Sequence, residues 1–274
     1  MMENKHFISF NLDGVNLETV PDDVLMAHIR IIAHRLDKVM QICESTHAPL
    51  NPQSLTPLTF RLEAANKRFS DSKPELEWAN MIHEKYQAAI LGRLSLSYTP
   101  KASFAMSEEA FDQLLTTRRS VRMFTNDPIP DDLLKKVIGY GLWAPSNCNV
   151  QAVRYILAKT PCVREQLEIN GFSKEMGFCT LAIVADYRFY PDGDIDSPIH
   201  DSAAAIQNIL LACHYYGLGA CYISDKGVNT AKRREALGIE NDYEKVTAFL
   251  WIGQYEKAPG TPTRRELSEV LAFK

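Results

Sequence analysis

The chain has 274 residues, 46% of them hydrophobic and 23% charged, and its 34 acidic against 30 basic side chains give a formal net charge of −4. That is an ordinary globular balance, with length for one or two domains and a substantial core. No global basic field exists to attract nucleic acid or an acidic membrane, so any anion site must be local.

The six cysteines, Cys43, Cys148, Cys162, Cys179, Cys213 and Cys221, form no Cys-x-x-Cys pair and fall mostly in apolar segments, which reads as small buried thiols. Residues 1–6 contain no apolar signal core, and no Asn-x-Ser/Thr acceptor occurs, so the expected location is cytoplasmic. The longest apolar run, 203–223, approaches the length of a membrane span. Gln207, Asn208 and His214 interrupt it and Gly217 and Gly219 break it, so a buried helix followed by a strand is expected.

Residues 1–105 read as a helical N-terminal region. Pro21 suits the first position of a helix, with Asp22 and Asp23 behind it. Leu25, Ile29, Ile32, Leu36, Val39 and Met40 then recur at helical spacing. Asn51-Pro52 makes a break before a second helix over 57–69. A third, over 74–94, sets Leu76, Ala79, Ile82, Tyr86 and Ile90 on one face. These stripes need cover, so the helices are expected to pack on the rest of the chain or on a partner subunit. Residues 97–102 read as a linker.

A helix over 107–117, capped by Ser107 and opened by Glu108 and Glu109, runs into Arg118-Arg119-Ser120-Val121-Arg122-Met123-Phe124. Three guanidinium groups and a hydroxyl within five residues suit a polyanion, because each planar fork makes paired, charge-assisted bonds to phosphate or carboxylate oxygens. A solvated basic turn is the other reading of these residues alone. Pro128 and Pro130 enforce an extended approach to a helix carrying Leu133, Leu134, Val137 and Ile138. A polar turn over 144–151 leads to a strand at 155–158. Strands at 180–186, 220–224 and 246–252 alternate with helices at 201–216 and 230–237, with a loop at 192–198. The second half is therefore mixed α and β.

Several letter matches fail on physical grounds. Gly139-Tyr140-Gly141-Leu142-Trp143-Ala144 matches a dinucleotide pattern but follows a helix instead of a strand. Asp192, Asp194 and Asp196 resemble the start of a calcium loop, but Ser197 replaces the needed glycine and Ala203 the bidentate acid. Cys213 and His214 are adjacent on a helix and point apart. The histidines show no ligand spacing, so no metal site is expected.

One ordered series remains: Arg118-Arg119-Ser120-Val121-Arg122, Pro128-Ile129-Pro130, Ala144-Pro145-Ser146 with Asn149 and Gln151, Gly217-Leu218-Gly219-Ala220-Cys221, and Ile252-Gly253 followed by Arg264-Arg265. It resembles the FMN-dependent nitroreductase family over about 106–274. The resemblance implies an α+β fold, a nitroreductase-like mixed sheet flanked by helices, and a two-fold homodimer with FMN at the subunit interface. It places Arg118, Arg119, Ser120 and Arg122 on the FMN phosphate and ribityl chain. Pro145 and Ser146 resemble the segment that reaches FMN from the partner subunit. Asn149, with Gln151 beside it, would contact the flavin ring, and Ile223 and Ser224 lie where backbone passes over it. Arg264, or its neighbour Arg265, resembles the basic residue that closes on the phosphate. The implied activity is ping-pong reduction of a small acceptor, nitroaromatic or quinone, with NAD(P)H as donor and no catalytic side chain. A reductive dehalogenase, a tailoring dehydrogenase and a non-catalytic flavin-binding protein are the alternatives. Ala152-Val153 and Gln254-Tyr255 depart from the family's Pro-Trp and Tyr-Pro, on the substrate side.

Overall fold

The N-terminal periodicity becomes three helices in the computed structural model, which describes residues 15–46, 48–71, 73–93, 105–167, 177–191, 193–224 and 230–274. Helix α1 (Asp22–Thr46) sets two acids against its positive end and buries Leu25, Ile29, Leu36 and Met40. Helices α2 (Thr56–Arg68) and α3 (Pro74–Ile90) each carry proline in the first turn. They close over α1 through Leu58, Leu62, Leu76, Ala79, Ile82 and Tyr86. Burying each large aliphatic contributes about 1.5–3 kcal/mol.

That core does not stop at the helices. Val150, Ala152, Phe189 and Tyr190 from the second half belong to it. Arg188 ties the same seam, pairing with Asp186 at 2.6 Å and with Asp23 of α1. The helices thus pack on the rest of the chain, as their stripes require. The segment read as a linker lies outside the described residues.

The second half runs α4 (Glu108–Thr116), α5 (Asp131–Gly139), β1 (Val153–Ala158), α6 (Pro161–Gln166), β2 (Cys179–Asp186), α7 (Ser197–Tyr215), β3 (Gly219–Ile223), α8 (Ala231–Ala236) and β4 (Glu244–Gly253). The strands form one sheet in the order β1-β2-β4-β3, and every ladder is antiparallel. The parallel component expected of a mixed sheet is a single bridge, Ser120 to Ala220. On one face α5 and α7 bury Leu134, Val137, Ile206, Ile209 and Leu210 against Leu181, Ile183, Leu250 and Ile252. On the other, Leu167, Leu237 and Ile239 cover Val184, Phe249 and Trp251. All eight residues of β2 are buried, as a central strand covered on both faces must be.

Two details differ from the sequence reading. Helix α7 begins at Ser197, because Asp194 Oδ1 accepts from the backbone N–H groups of Ser197 (2.9 Å) and Asp196 (3.2 Å). Residues 194–197, read as part of a loop, form the helix entry. The apolar face of α7 is also covered by its own sheet, so its burial does not require a second chain. Among the described residues no helix is long and apolar enough to cross a membrane, and no cluster could hold a metal ion.

Candidate cofactor site

The arginine turn lies beside β3. The Val121 N–H donates to the Ala220 carbonyl at 3.1 Å, next to the Ser120 bridge. Gly219 permits this approach, since a Cβ there would stand 2.9 Å from Val121 Cγ1 and from Tyr255 Cδ1. Arg119 donates to the carbonyls of Thr116 (2.6 Å) and Arg118 (2.9 Å) and to Thr261 Oγ1 (2.7 Å). Arg122 donates to the Ser120 carbonyl at 3.3 Å. Among the described residues the Arg118 guanidinium has no hydrogen-bond partner, and no carboxylate pairs with any of the three arginines. Their like charges repel one another with no described carboxylate to offset them.

His214 joins this group from the end of α7, with Nε2 2.8 Å from Thr117 Oγ1. Burial, then Arg118 and Arg119, hold its pKa below the ordinary value. Sequence reasoning missed it, having weighed it only as a partner for Cys213. Cys213 is buried away from it, its thiol pushed up to about 12 by desolvation. The available signal was position: a helix end next to a Gly turn, where cations gather. Ile223 is half-buried and Ser224 exposed, a short way along β3 from Ala220. The Arg119–Thr261 bond draws in the C-terminal segment. There Arg264 donates only to the Thr263 carbonyl (2.9 Å), whereas Arg265 is held by Glu269 at 3.2 Å.

The second group is the loop Ser146 to Gln151. Cys148 (φ 50°), Asn149 (φ 55°) and Gln151 (φ 52°) all adopt the left-handed region. Asparagine tolerates it, but each such residue costs of order 1 kcal/mol, and strain of this kind persists only where neighbours impose it. The neighbours are identifiable. Asp201 accepts from the Asn147 N–H at 3.0 and 3.1 Å and from the Tyr190 hydroxyl at 2.8 Å. Ser146 Oγ accepts from the Gln151 N–H at 3.2 Å, and Gln151 Nε2 donates to Asn149 Oδ1 at 3.1 Å. Pro145 is exposed at the rim.

One chain does not bring the two groups together. The loop hangs on Asp201 near the start of α7 and the arginine turn on His214 near its end, 13 residues on (214 − 201). At 1.5 Å per residue they stand roughly 20 Å apart along the helix. The cavity against Arg118 and Arg119 is about 20 Å³ and that against Pro145, Ser146 and Gln151 about 90 Å³. A larger hollow, about 870 Å³, lies elsewhere, between residues 15–18 and α2. Chemistry outweighs size here: Arg68 at that hollow is already committed to Leu17, Val20 and Asp22.

An antiparallel sheet flanked by helices, an arginine turn with no carboxylate partner among the described residues and a strained polar loop characterise this domain. Residues 115–169 and 166–254 match the Nitroreductase family, and the chain belongs to that family. A candidate NADH dehydrogenase/NAD(P)H nitroreductase of Archaeoglobus fulgidus is 29% identical over 144 residues, covering 50% of this chain and 79% of that protein. Iodotyrosine deiodinase 1 of Rattus norvegicus is 24% identical over 126 residues, covering 43% of this chain and 39% of that protein. Among solved structures, a candidate nitroreductase from Desulfovibrio desulfuricans, determined in complex with FMN, shares the fold with a TM-score of 0.55 and 24% identity, covering 61% of this chain and 98% of that one. Helices α1 to α3 precede the family match.

Proposed function

We propose that the chain is an FMN-dependent NAD(P)H oxidoreductase that reduces a small acceptor, and that residues 106–274 are its flavin unit with residues 1–105 as a helical addition. The observation that carries this reading is the trio Arg118, Arg119 and Arg122, close in sequence and with no carboxylate partner among the described residues, in a chain of this family. The donor set suits FMN: a phosphate accepts from several guanidinium groups at once, and the left-handed amides of the 146–151 loop suit the polar edge of a flavin ring. Arg264 is the better closing residue, because Glu269 already holds Arg265.

Neither cavity alone accepts an FMN-sized ligand, which needs about 300–1,000 Å³. A two-fold dimer would set the arginine turn of one chain against Pro145, Ser146, Asn149 and Gln151 of the other, which the separation along α7 calls for. Bound there, the flavin supplies the hydride chemistry between NAD(P)H and the acceptor. Arg118, Arg119, Ser120 and Arg122 bind its phosphate end, Ile223 and Ser224 flank the ring, and the 146–151 loop orients it and excludes water.

Arg118→Ala with Arg122→Ala tests the phosphate assignment. Each charge-assisted bond lost is worth roughly 1.5–3 kcal/mol, so the double variant loses FMN on dialysis while the wild type stays yellow. Full retention refutes it. A deiodinase-like activity is the second reading, favoured by the similarity to iodotyrosine deiodinase 1. Dehalogenases of this fold resemble one another in a lid carrying Glu, Tyr and Lys; here Lys174 and Glu175 lie outside the described residues. Tyr187 sits in a turn at the end of β2 under Lys245, 4.5 Å above its ring.

A further inference from the structure

We propose that Arg30 of the N-terminal helix α1 is a positioning residue for the cofactor site, setting the backbone of the loop that meets the flavin ring. The proposal deepens the flavin reading and rests on it. Arg30 Nε and Nη2 both donate to the Val150 carbonyl, at 3.3 and 3.1 Å. Val150 stands between Asn149 and Gln151, the two left-handed residues assigned to the ring. Its carbonyl belongs to the peptide that leads into Gln151, so fixing that oxygen fixes the plane from which Gln151 departs. Val150 itself is buried in the core shared with α1 to α3.

Arg30 is 8% exposed, so its fork cannot turn to water without leaving that core. Its charge is met by Glu75 of α3, with Nη1 3.5 Å from Oε1. Glu75, Arg30 and the Val150 carbonyl thus form a line from α3, through α1, to the loop. A buried arginine that merely held two domains together would need only some acceptor on the far side. This one grips a single carbonyl, flanked by strained residues, with two donors of one rigid fork. Asp201 and Ser197 hold Asn147, at the loop's opposite end, and within the loop Ser146 accepts from the N–H groups of Asn149 (3.0 Å) and Gln151 (3.2 Å). Arg30 is the contact that reaches the 149–151 stretch from helix α1.

The experiment compares the full-length wild type with Arg30→Met, Arg30→Lys and Glu75→Gln by amide hydrogen exchange without FMN and by FMN titration. In Arg30→Met the amides of Asn149, Val150 and Gln151 exchange faster by about tenfold or more, as expected for one lost bond to a charged group, while those of β2 keep their protection. FMN binds about tenfold more weakly with a shifted visible band, and Arg30→Lys restores part of both effects. Should Arg30→Met fail to fold, Glu75→Gln shows the same loop-confined acceleration at smaller size. Uniform acceleration across the protein, or unchanged loop exchange and FMN affinity, overturns the proposal. A wild type that binds no FMN refutes the flavin reading instead, and the exchange measurement then still decides whether Arg30 sets the loop.

Discussion

Acid should weaken the helix that carries Arg30, and His28 is the reason. It lies on α1 at 4% exposure, and burial, then Arg61 and Arg35, lower its pKa from 6.5 to about 4. Between those values the unfolded chain binds a proton that the folded one refuses, so stability rises with pH there. The contribution is complete above about pH 6.5 and is lost as the pH falls toward about 4. Taking both pKa values at face value, moving from about pH 7.5 to about pH 5 costs about 2 kcal/mol from this residue alone. Urea unfolding of the wild type and of His28→Leu at both pH values measures it. The substitution also removes whatever His28 bonds, so the two proteins differ at neutral pH. The diagnostic is the change with pH, which should be smaller in His28→Leu by about 2 kcal/mol. Other titrating groups, His34 and His214 among them, are common to both proteins and cancel. Equal pH dependence in the two would refute the buried, neutral histidine.

Gly219→Val places a side chain against Val121 and Tyr255, and overpacking of this kind costs about 1–3 kcal/mol; a lowered melting temperature together with weakened FMN binding is expected. Gln151→Gly relieves a left-handed residue, so thermal stability holds or rises by up to about 1 kcal/mol while FMN binds more weakly for want of the side chain; a large loss of stability would mean the strain has been misjudged. A chain starting at residue 105 exposes Val150, Ala152, Phe189 and Tyr190, and should melt well below the full protein and lose flavin affinity; equal melting and affinity would make the helices an independent module. Sedimentation at micromolar concentration should show FMN only in a dimer, and an FMN-loaded monomer would rule out the shared site.

Elements with a strong period were legible. The stripe Leu25, Ile29, Leu36 and the continuous apolar run of β2 each admit one arrangement, and both fold as read. Helix starts were legible where a cap or a proline marks them, as at Ser107 and Pro74. The entry of α7 was not, because Asp194 reaches its amides from outside the helix, in a stretch whose acids and glycine read as a loop. Short α6 was missed because six residues show less than two full turns of periodicity.

The site divides along the same line. Arg118, Arg119 and Arg122 are neighbours in sequence, so their chemistry could be read without a fold. His214 joins them only because α7 ends beside α4, a contact across 97 residues that no local pattern encodes. Arg30 is further removed, 120 residues from the carbonyl it holds, and on α1 it reads as an interruption of an apolar stripe. A long polar side chain within a buried helical face should find a partner, since leaving a charge unpaired there costs several kcal/mol. The sequence reading passed over Arg30, and its burial emerges only in the fold. Its partner is a main-chain oxygen, which has no residue type to recognise. Helix α1 thus meets the rest of the chain both through side chains, as at Asp23 and Arg188, and through the backbone at Val150. Comparison by residue identity passes over such contacts, and only the geometry at Val150 reveals this one.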